Sequence, residues 1–343
     1  MNTPTVRSLT TTLDPTFRLS SPVLITGVNG FIAGHLAERL LREGCPVRGT
    51  VRRPDAAGWL AEQGVDIVQA DLLDRASLIR AVEGCGAVVH AAAWTGGPGL
   101  SPEQAWRSNV DGTENVLAAA AMANAKRFVY ISSVAVYGLN RAPIIEESAA
   151  TPPVGQLYPD SKIAAERLVR ESGLSSVIVR PASTYGPRGT AWTIGTVEAI
   201  KQNRLMLLGR DDGLVTPGYI DNVIDGLWLT LVHPAAVGGT FNLCDDRSVT
   251  YREFYLAYAR MLGCETLPTL PAWTARLART WPANLARRLA GRQTIGPWSA
   301  HFRCNPSRFS VERAKQMLGY LPSIDFVEGM RRTENWLRSA GYL

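Results

Sequence analysis

The sequence predicts an α/β fold in which a doubly wound parallel sheet is followed by a smaller, mixed α/β C-terminal lobe. Short runs of apolar, β-branched residues recur along the first 180 residues, and stretches long enough for a helix separate them. This alternation is typical of βαβ units, whose strands are parallel. A length of 343 residues with 46% hydrophobic content is enough for a large core. Ligands of such sheets bind at the carboxyl ends of the strands.

The elements follow one another in a regular order. The predicted strands cover residues 23–25, 47–51, 66–70, 87–93, 127–132 and 177–180. The predicted helices cover residues 31–41, 101–122, 158–172, 250–262, 310–318 and 326–337. Thr250 and Glu253 form a capping-box signature at the start of one helix. We expect a cofactor domain over 21–185, rejoined by 219–245, a lobe over 186–343 that mainly binds substrate, and a flexible extension over 1–20.

Glycines follow the first strand at the spacing of a dinucleotide cradle. Gly27, Gly30 and Ala33 match G-x-x-G-x-x-G/A between a strand and a helix. Glycine lets the backbone turn tightly and approach a pyrophosphate, and a helix N-terminus attracts phosphate. A turn that binds nothing is the alternative, which the strand–turn–helix context disfavours. The pattern predicts a Rossmann-type sheet with the cofactor contacts Gly27, Asn29, Gly30, Phe31 and Ile32.

The end of the second strand predicts which cofactor binds. A carboxylate about twenty residues after the glycines usually binds the ribose 2′-hydroxyl of NAD. This chain has Arg52 and Arg53 there, and no acid before Asp55. A guanidinium can hold a 2′-phosphate with two hydrogen bonds. We therefore expect NADPH or NADP in preference to NAD, with Arg52 as the leading contact; the alternative is that both arginines lie in a solvated turn.

Later strand ends complete the predicted cleft. Asp71 and Leu72 follow the third strand, where an adenine would lie. Ala91, Ala92 and Ala93 close the fourth strand and are small enough for a cofactor to lie against the backbone.

A tyrosine and a lysine four residues apart predict a proton-transfer pair. A ketone that accepts hydride becomes alkoxide-like, so a donor must supply a proton. The pKa of a free tyrosine is about 10, and a nearby ammonium lowers it. Tyr158 and Lys162 fall on one face of a helix, which brings them together. Alone this spacing is typical of an ordinary helix surface, but beside the glycine pattern it favours a redox enzyme.

A set of motifs along the chain resembles that of the extended short-chain dehydrogenase/reductases, within the NAD-dependent epimerase/dehydratase superfamily. The chain is most similar to the branch of 3β-hydroxysteroid dehydrogenases, 2-alkyl-3-oxoalkanoate reductases and dihydroflavonol reductases. The resemblance runs from about residue 23 to the C-terminus. The motifs are Thr26-Gly27-x-x-Gly30-Phe31-Ile32, Asp71-Leu72, His90-Ala91-Ala92, Asn109-Val110-x-Gly112-Thr113, Ser132-Ser133-x-x-Val136-Tyr137-Gly138, Tyr158-x-x-x-Lys162, Arg180-Pro181-x-x-x-Tyr185-Gly186-Pro187 and Tyr219-Ile220-Asp221-Asn222-Val223.

This resemblance implies roles for individual residues. Tyr158 would be the proton donor, Lys162 would also bond the nicotinamide ribose, and Ser133 would hydrogen-bond the substrate carbonyl. Strand alternation points Ser132 to the opposite face from Ser133. Further cofactor contacts implied by the family are Asn109, Ile131, Pro181 and Thr184.

The sequence favours a bulky hydrophobic carbonyl compound over a sugar nucleotide. Relatives that bind nucleotide sugars commonly have an arginine before the Tyr219 motif, where residues 215–218 carry no cation. Arg188 or Arg210 could substitute for it. The Thr-Asp-Glu triad of sugar dehydratases is also missing, because Val134 and Ala135 follow Ser133. The candidate pocket walls are large or apolar: Trp94, Val134, Tyr185 and Trp192.

The net charge of +6 lies in one part of the chain. Residues 266–303 contain six arginines and no acid, and the rest of the chain has equal numbers of basic and acidic residues. Apolar residues at a spacing of four run through residues 273–289. We expect residues 271–303, the basic segment, to form an amphipathic lid over the substrate. Peripheral contact with an anionic membrane is the less favoured alternative, and a nucleic-acid partner is not expected.

Other chemistries find no support in the sequence. The four histidines are scattered and the five cysteines form no C-x-x-C pair, so we expect no metal and no disulfide. Unpatterned cysteines suit a reducing cytoplasm.

The leading hypothesis is an NADPH-dependent reductase of a hydrophobic ketone, or the reverse alcohol oxidation. A nucleotide-sugar epimerase or dehydratase that recycles NAD internally is the second, and a non-catalytic NADP-binding regulator the third. By analogy with relatives, a homodimer would form through the helices at 101–122 and 158–172.

Overall fold

The computed structural model describes residues 19–97, 99–209, 213–270 and 303–343. The expected N-terminal extension and the basic segment therefore lie outside the described residues, apart from Leu19, Ser20 and Arg303. Arg210 lies outside them as well.

Seven parallel strands form the central sheet. The chain places its second and third strands on one side of the first strand and its fourth strand on the other side. This reversal opens a crevice at the carboxyl ends of the first and fourth strands, where doubly wound sheets bind ligands. The predicted doubly wound fold is confirmed. From edge to edge the strands are Thr240–Leu243, Ser176–Pro181, Arg127–Ile131, Ala87–His90, Val23–Thr26, Val47–Val51 and Asp66–Gln69.

Two hydrophobic cores lie on the two faces of this sheet. Alternate residues of the strands point into each core, so Val23 and Ile25 enter one while Leu24 enters the other. The cradle helix, Phe31–Arg42, packs against Ile220–Val232 on the first face. The second face carries Arg75–Val82, Asp111–Met122 and the Tyr158 helix, Leu157–Glu171.

The predicted helix at 101–122 is two helices, Pro102–Asn109 and Asp111–Met122, with Val110 between them. The Thr113 hydroxyl donates a hydrogen bond to the Asn109 carbonyl at 2.6 Å. A threonine that bonds the carbonyl four residues earlier bends a helix. The prediction of one continuous helix was therefore wrong, and the bend leaves Asn109 as the last residue of the first helix.

The C-terminal lobe is built from helices and short paired strands. The predicted capping box is confirmed, because Thr250 Oγ1 accepts from the Glu253 N–H at 3.1 Å and Glu253 Oε2 accepts from the Thr250 N–H at 2.7 Å. The remaining α-helices of the described ranges are Gly58–Ala61, Gly195–Lys201, Tyr251–Met261, Glu312–Leu318 and Phe326–Ser339. The short strand pairs are Ile144–Ile145 with Arg308–Phe309, Ser183–Tyr185 with Pro217–Tyr219, Leu207–Leu208 with Thr269–Leu270, and Leu214–Val215 with Val249–Thr250. Single turns of 3₁₀ helix cover Pro54–Ala57, Val134–Tyr137 and Pro234–Ala236, and a π-turn covers Thr190–Ile194.

None of the helices within the described ranges is long and apolar enough to cross a membrane.

Candidate active site

The glycine turn after the first strand has the shape of a phosphate cradle. Gly27 has φ +63°, and a Cβ on it would lie 2.9 Å from the Ala92 Cβ. A Cβ on Gly30 would lie 3.1 Å from the Gly27 carbonyl oxygen. Gly30 is the N-cap of the cradle helix and makes no side-chain capping bond, so the first N–H groups of this helix are available to an anion. Side chains at these glycines would fill the cradle, and the turn fits a pyrophosphate.

A cleft of about 510 Å³ extends from this cradle over the ends of the second, third and fourth strands. Its lining therefore joins the glycine turn to the positions expected for the adenine and the ribose. The expected residues that line it are Gly27, Asn29, Arg52, Arg53, Asp71, Leu72, Ala91, Ala92, Ala93 and Trp94.

The two arginines lie at the rim of this cleft. Arg52 and Arg53 follow the second strand directly, and both are exposed. The backbone carbonyl of Arg52 accepts a hydrogen bond from Gln69 Nε2 at 3.1 Å, which fixes the turn to the neighbouring strand. Neither guanidinium forms an ion pair with any acid of the described chain.

Lys162 is bound to the strand that ends in Ile131. Its side chain is 3% exposed, and Nζ donates to the Ile131 carbonyl at 2.8 Å. The ammonium also lies 4.8 Å from the centre of the Tyr130 ring. Burial lowers the pKa of Lys162 to about 7, and the negative charge of Glu166 acts in the opposite direction.

Tyr158 lies one helical turn before Lys162 and contacts Ser133. Burial raises the pKa of Tyr158 above its ordinary value, and a hydrogen bond with Ser133 partly opposes that rise. Ser133 Oγ accepts from the Ala135 N–H at 3.1 Å, so the Ser133 hydroxyl proton can be donated either to Tyr158 or to a substrate oxygen. We expected Lys162 to lower the pKa of Tyr158, but in this structure burial raises that pKa above its ordinary value.

Ser132 points away from Ser133, as strand alternation predicts. Its hydroxyl is buried and donates to Glu166 Oε1 at 2.6 Å. Glu166 lies one turn after Lys162 on the Tyr158 helix and also binds Arg180 through both carboxylate oxygens. The Ser132 hydroxyl is therefore engaged by Glu166, and Ser133 remains the candidate of this pair.

Asn109 connects the cleft loop to the Tyr158 helix. Its Oδ1 accepts from the Trp94 N–H at 2.7 Å, and its Nδ2 donates to the Trp94 carbonyl at 3.0 Å and to Ser161 Oγ at 2.9 Å. Asn109 is 2% exposed and is not part of the cleft lining, so it supports the loop from behind.

Several buried polar residues behind the cleft were not recognised as functional candidates from the sequence. The His90 ring lies between the hydroxyls of Thr26 and Thr113, at 2.8 Å and 3.1 Å. The one available signal was a polar residue at the end of each of two otherwise apolar strands, Val23–Thr26 and Ala87–His90. Such residues must find hydrogen-bond partners when buried.

The other expected cofactor contacts lie outside the cleft lining. Pro181 and Thr184 are buried in or beside the sixth strand of the sheet, and the Thr184 hydroxyl donates to the Ala182 carbonyl at 3.1 Å. Phe31 is half-buried and packs edge-on against His35, with ring centres 5.3 Å apart. Ile32 is half-buried on the first turn of the cradle helix.

The four expected substrate walls have different environments. Trp94 lines the cleft, and Val134 is 8% exposed on the turn after Ser133. Trp192 is half-buried and packs on Tyr251 and Phe254.

Tyr185 is fully buried, which departs from its expected place on a pocket wall. Its ring packs against Tyr219, Phe254 and Phe326, with centres 5.4 to 6.0 Å apart. The structure therefore places Tyr185 in the aromatic core of the C-terminal lobe.

Arg188, a candidate for binding a sugar-nucleotide diphosphate, has other partners. It forms a two-point ion pair with Glu38 on the cradle helix, at 2.8 Å and 2.7 Å, and lies 4.7 Å above the Trp59 ring. Its charge is therefore neutralised inside the protein. Within the described residues, no three histidine, cysteine or acidic side chains come together in a group that could hold a metal ion.

Residues 23–244 match the family model described as the NAD dependent epimerase/dehydratase family. The chain belongs to this family.

Curated relatives of this family member match it over nearly their whole length. A 4-hydroxy-2-methyl-3-oxo-4-farnesyl-3,4-dihydroquinoline-1-oxide ketoreductase of Stigmatella aurantiaca is 28% identical over 92% of this chain and 96% of its own. A 2-alkyl-3-oxoalkanoate reductase of Stenotrophomonas maltophilia is 28% identical over 90% and 97%. A 3 beta-hydroxysteroid dehydrogenase/Delta 5→4-isomerase of Mycobacterium tuberculosis is 29% identical over 88% and 86%. These relatives confirm the extended short-chain dehydrogenase/reductase branch and support an oxidoreductase.

A solved structure has the same fold. MoeE5 in complex with UDP-glucose and NAD superposes with a TM-score of 0.73 at 23% identity, over 93% of this chain and 99% of that one. At this identity the likeness establishes the fold alone. The cradle geometry and the family together indicate a nicotinamide dinucleotide in the cleft.

Proposed function

We propose that this family member is an NADPH-dependent oxidoreductase that reduces the ketone of a bulky hydrophobic small molecule, such as a steroid, a polyketide or another secondary metabolite. The same site would oxidise the corresponding secondary alcohol in reverse. The observation that carries the proposal is the buried Lys162, one helical turn after Tyr158 on the same helix, whose Nζ donates to the Ile131 carbonyl at 2.8 Å.

The chain's own groups would act on the carbonyl oxygen. When bound, the nicotinamide supplies the hydride for the carbonyl carbon. Tyr158 donates its phenolic proton to the oxygen on which negative charge develops. Ser133 donates a second hydrogen bond to the same oxygen, because its Oγ already accepts from Ala135 and its proton can be donated.

Lys162 would place a positive charge next to this proton transfer when it is protonated, which a pKa of about 7 allows at neutral and lower pH. The Ile131 carbonyl takes one of its three N–H bonds, and the other two remain for the ribose hydroxyls that the family resemblance implies. A positive charge stabilises the phenolate that Tyr158 becomes after giving up its proton. In the oxidative direction the same phenolate accepts the proton of the alcohol.

The preference for NADPH rests on the cleft rim. Arg52 and Arg53 are exposed there, without an acid partner in the described chain, so both can bind an anion. A 2′-phosphate has the charge and geometry that a guanidinium binds with two hydrogen bonds. The relatives named as ketoreductase and oxoalkanoate reductase support a carbonyl substrate.

A cofactor exchange experiment on the purified protein tests the proposal. Any nicotinamide that co-purifies is identified first, and NADPH and NADH are then titrated by fluorescence. Free exchange with a preference for NADPH, followed by NADPH oxidation that requires a 3-oxosteroid or a 2-alkyl-3-oxo ester, supports the proposal. A tightly retained NAD that NADPH cannot displace contradicts it and favours the epimerase alternative, with sugar nucleotides as the next probes.

We further propose that two copies associate through an apolar groove on the Tyr158 helix. The groove has a volume of about 660 Å³, and its lining includes Trp106, Ile163 and Leu168. Arg167 and Glu171, which pair with each other on the same helix, also line the groove. Sedimentation should show a dimer that Trp106→Glu converts to a monomer; a monomeric parent protein contradicts the proposal.

A further inference from the structure

A chain of buried hydrogen bonds begins at the end of the first strand. The Thr26 hydroxyl lies 2.8 Å from His90 Nδ1, and His90 Nε2 lies 3.1 Å from the Thr113 hydroxyl. All three side chains are at most 1% exposed. Each of these polar groups therefore depends on its protein partners for hydrogen bonds.

The direction of every hydrogen bond in this chain follows from one carbonyl. The Thr113 hydroxyl must donate to the Asn109 carbonyl at 2.6 Å, because a carbonyl can only accept. Thr113 Oγ1 then accepts from His90 Nε2–H, which leaves Nδ1 without a proton. Nδ1 accepts from the Thr26 hydroxyl, whose oxygen accepts the Ala91 and Ala92 N–H groups, both at 3.1 Å.

The chain of hydrogen bonds continues from Asn109 to the Tyr158 helix. Asn109 Nδ2 donates to Ser161 Oγ at 2.9 Å, and the Ser161 hydroxyl donates to the Tyr158 carbonyl at 2.8 Å. Consecutive buried bonds thus join the wall of the cofactor cleft to the backbone of the expected proton donor.

The His90 ring can adopt only one protonation state and one tautomer in this chain of hydrogen bonds. Burial and the charge of Lys162 lower the pKa of His90 to about 3, so the ring stays neutral at ordinary pH. Only the tautomer with the proton on Nε2 satisfies both threonines. Neither His90 nor Thr113 belongs to the cleft lining.

We propose that His90 is a positioning residue that, through Thr26 and Thr113, fixes the cofactor wall against the Tyr158 helix. Without this link the positions of the Ala91–Ala92 backbone and of the Asn109 side chain would vary independently of each other. The distance and orientation between the nicotinamide and Tyr158 would then no longer be fixed. The inference rests on the proposed function only in requiring that the cleft binds a nicotinamide dinucleotide.

The test compares two threonines in equivalent local settings. Thr113 and Thr333 are both buried helical residues whose hydroxyls donate to the carbonyl four residues earlier. Thr333 lies on the C-terminal helix and takes no part in the chain. We expect Thr113→Val to weaken NADPH and NADH by the same factor, about tenfold, and Thr333→Val to change neither. Thr113→Ser keeps the hydroxyl and should restore both affinities to within about twofold.

Measuring the affinities of both cofactors distinguishes this proposal from the proposed preference for NADPH. Arg52→Ala should weaken NADPH alone, because it acts on the 2′-phosphate. If the parent protein binds both cofactors equally, the NADPH preference fails while the Thr113 comparison on NADH still decides the role of His90. Equal affinities in Thr113→Val and Thr333→Val, at matched melting temperatures, would overturn the proposal.

A second measurement needs neither cofactor nor a folded variant of Thr113. The chain has four histidines, so ¹⁵N-labelled histidine side chains can be assigned by single His→Gln replacements at His35, His233 and His301. The remaining resonance should report a neutral Nε2–H ring from about pH 5 to pH 8. A proton on Nδ1, or a titration within that range, contradicts the proposed hydrogen-bond direction.

Discussion

The Glu166 carboxylate and the Arg180 guanidinium form a two-point ion pair between the Tyr158 helix and the strand Ser176–Pro181. Arg180 Nε lies 2.8 Å from Oε1 and Nη2 lies 2.6 Å from Oε2, and both side chains are at most 2% exposed. Glu166 also accepts from Ser132, the neighbour of Ser133. One carboxylate therefore fixes the Tyr158 helix to two adjacent strands of the sheet.

Removing the negative charge of this pair should destabilise the fold. In Glu166→Gln the buried Arg180 charge loses its counter-ion, which costs about 3–5 kcal/mol of unfolding free energy. Chemical denaturation measures the loss. Glu171→Gln is the matched control on the same helix, because its pair with Arg167 has side-chain exposures of 58% and 79%. That control should lose less than about 1 kcal/mol; equal losses in both variants would refute the central role of the buried pair.

Removing the phenolic hydroxyl should stop turnover and leave cofactor binding intact. We expect Tyr158→Phe to lower kcat on a 3-oxosteroid or 2-alkyl-3-oxo ester by about 10²–10⁴-fold, the range for loss of a general acid. Its Kd for NADPH should stay within about twofold, because the ring remains. Tyr320→Phe also removes a buried hydroxyl, bonded to the Cys244 carbonyl at 3.0 Å, and should reduce stability without reducing kcat. Normal turnover in Tyr158→Phe means that another group donates the proton.

The arginines at the cleft rim should set cofactor preference. Arg52→Ala is expected to raise the Kd for NADPH at least about tenfold, the value of one charge-assisted hydrogen bond. NADH affinity should not change, and Arg53→Ala should have the same effect to a smaller degree. Fluorescence titration measures both constants. Arg338→Ala, at an exposed position of the C-terminal helix, is the charge-matched control. An unchanged NADPH affinity in Arg52→Ala removes the assignment of the 2′-phosphate site.

Asp245 should make the protein less stable as the pH rises from about 4 to about 7. Its Oδ1 accepts from the Tyr219 N–H and from Asn222 Nδ2, while Oδ2 is buried without a hydrogen-bond partner among the described residues. Burial raises the Asp245 pKa from 3.8 to about 7. The folded state therefore holds a proton that the unfolded state has lost, and its stability decreases until the folded carboxyl ionises.

Asp245→Asn should abolish that dependence and raise the unfolding free energy at about pH 8 by about 1–3 kcal/mol, because the amide keeps the acceptor and removes a buried charge. Asp246→Asn is the control, since Asp246 is 61% exposed and paired with Lys315. Denaturation curves at several pH values decide the matter. A stability that rises over the same range in the parent protein but not in Asp245→Asn contradicts the raised pKa.

The sheet and the cradle were predictable because their signals are local. The strand from Val23, the turn at Gly27 and Gly30 and the helix from Phe31 are consecutive in sequence, and each residue type is required by the backbone geometry at its own position. Ser133 could be separated from Ser132 for the same reason, because alternation along a strand is a local property.

The support behind the cleft could not be predicted, since its partners are distant in sequence. Thr26 and His90 are 64 residues apart, and His90 and Thr113 are 23 apart. From the sequence, a threonine inside a helix is only a weak helix former. The fold is needed to show that Thr113 bends the helix and accepts a hydrogen bond from His90. Tyr185 was misplaced for a similar reason: its aromatic neighbours, Tyr219, Phe254 and Phe326, come from three later segments.

The ion pair of Arg188 with Glu38 limits how this enzyme can be recombined with its relatives. Arg188 has φ +67° and lies between Glu38 and the Trp59 ring. The loop that leaves the cofactor sheet is therefore anchored on these two residues of the N-terminal part of the protein. If the substrate lobe of a relative is grafted onto this cofactor domain without Arg188, Glu38 and Trp59 lose their partner. Engineers who exchange lobes to alter substrate range should therefore move Arg188, Glu38 and Trp59 as one unit.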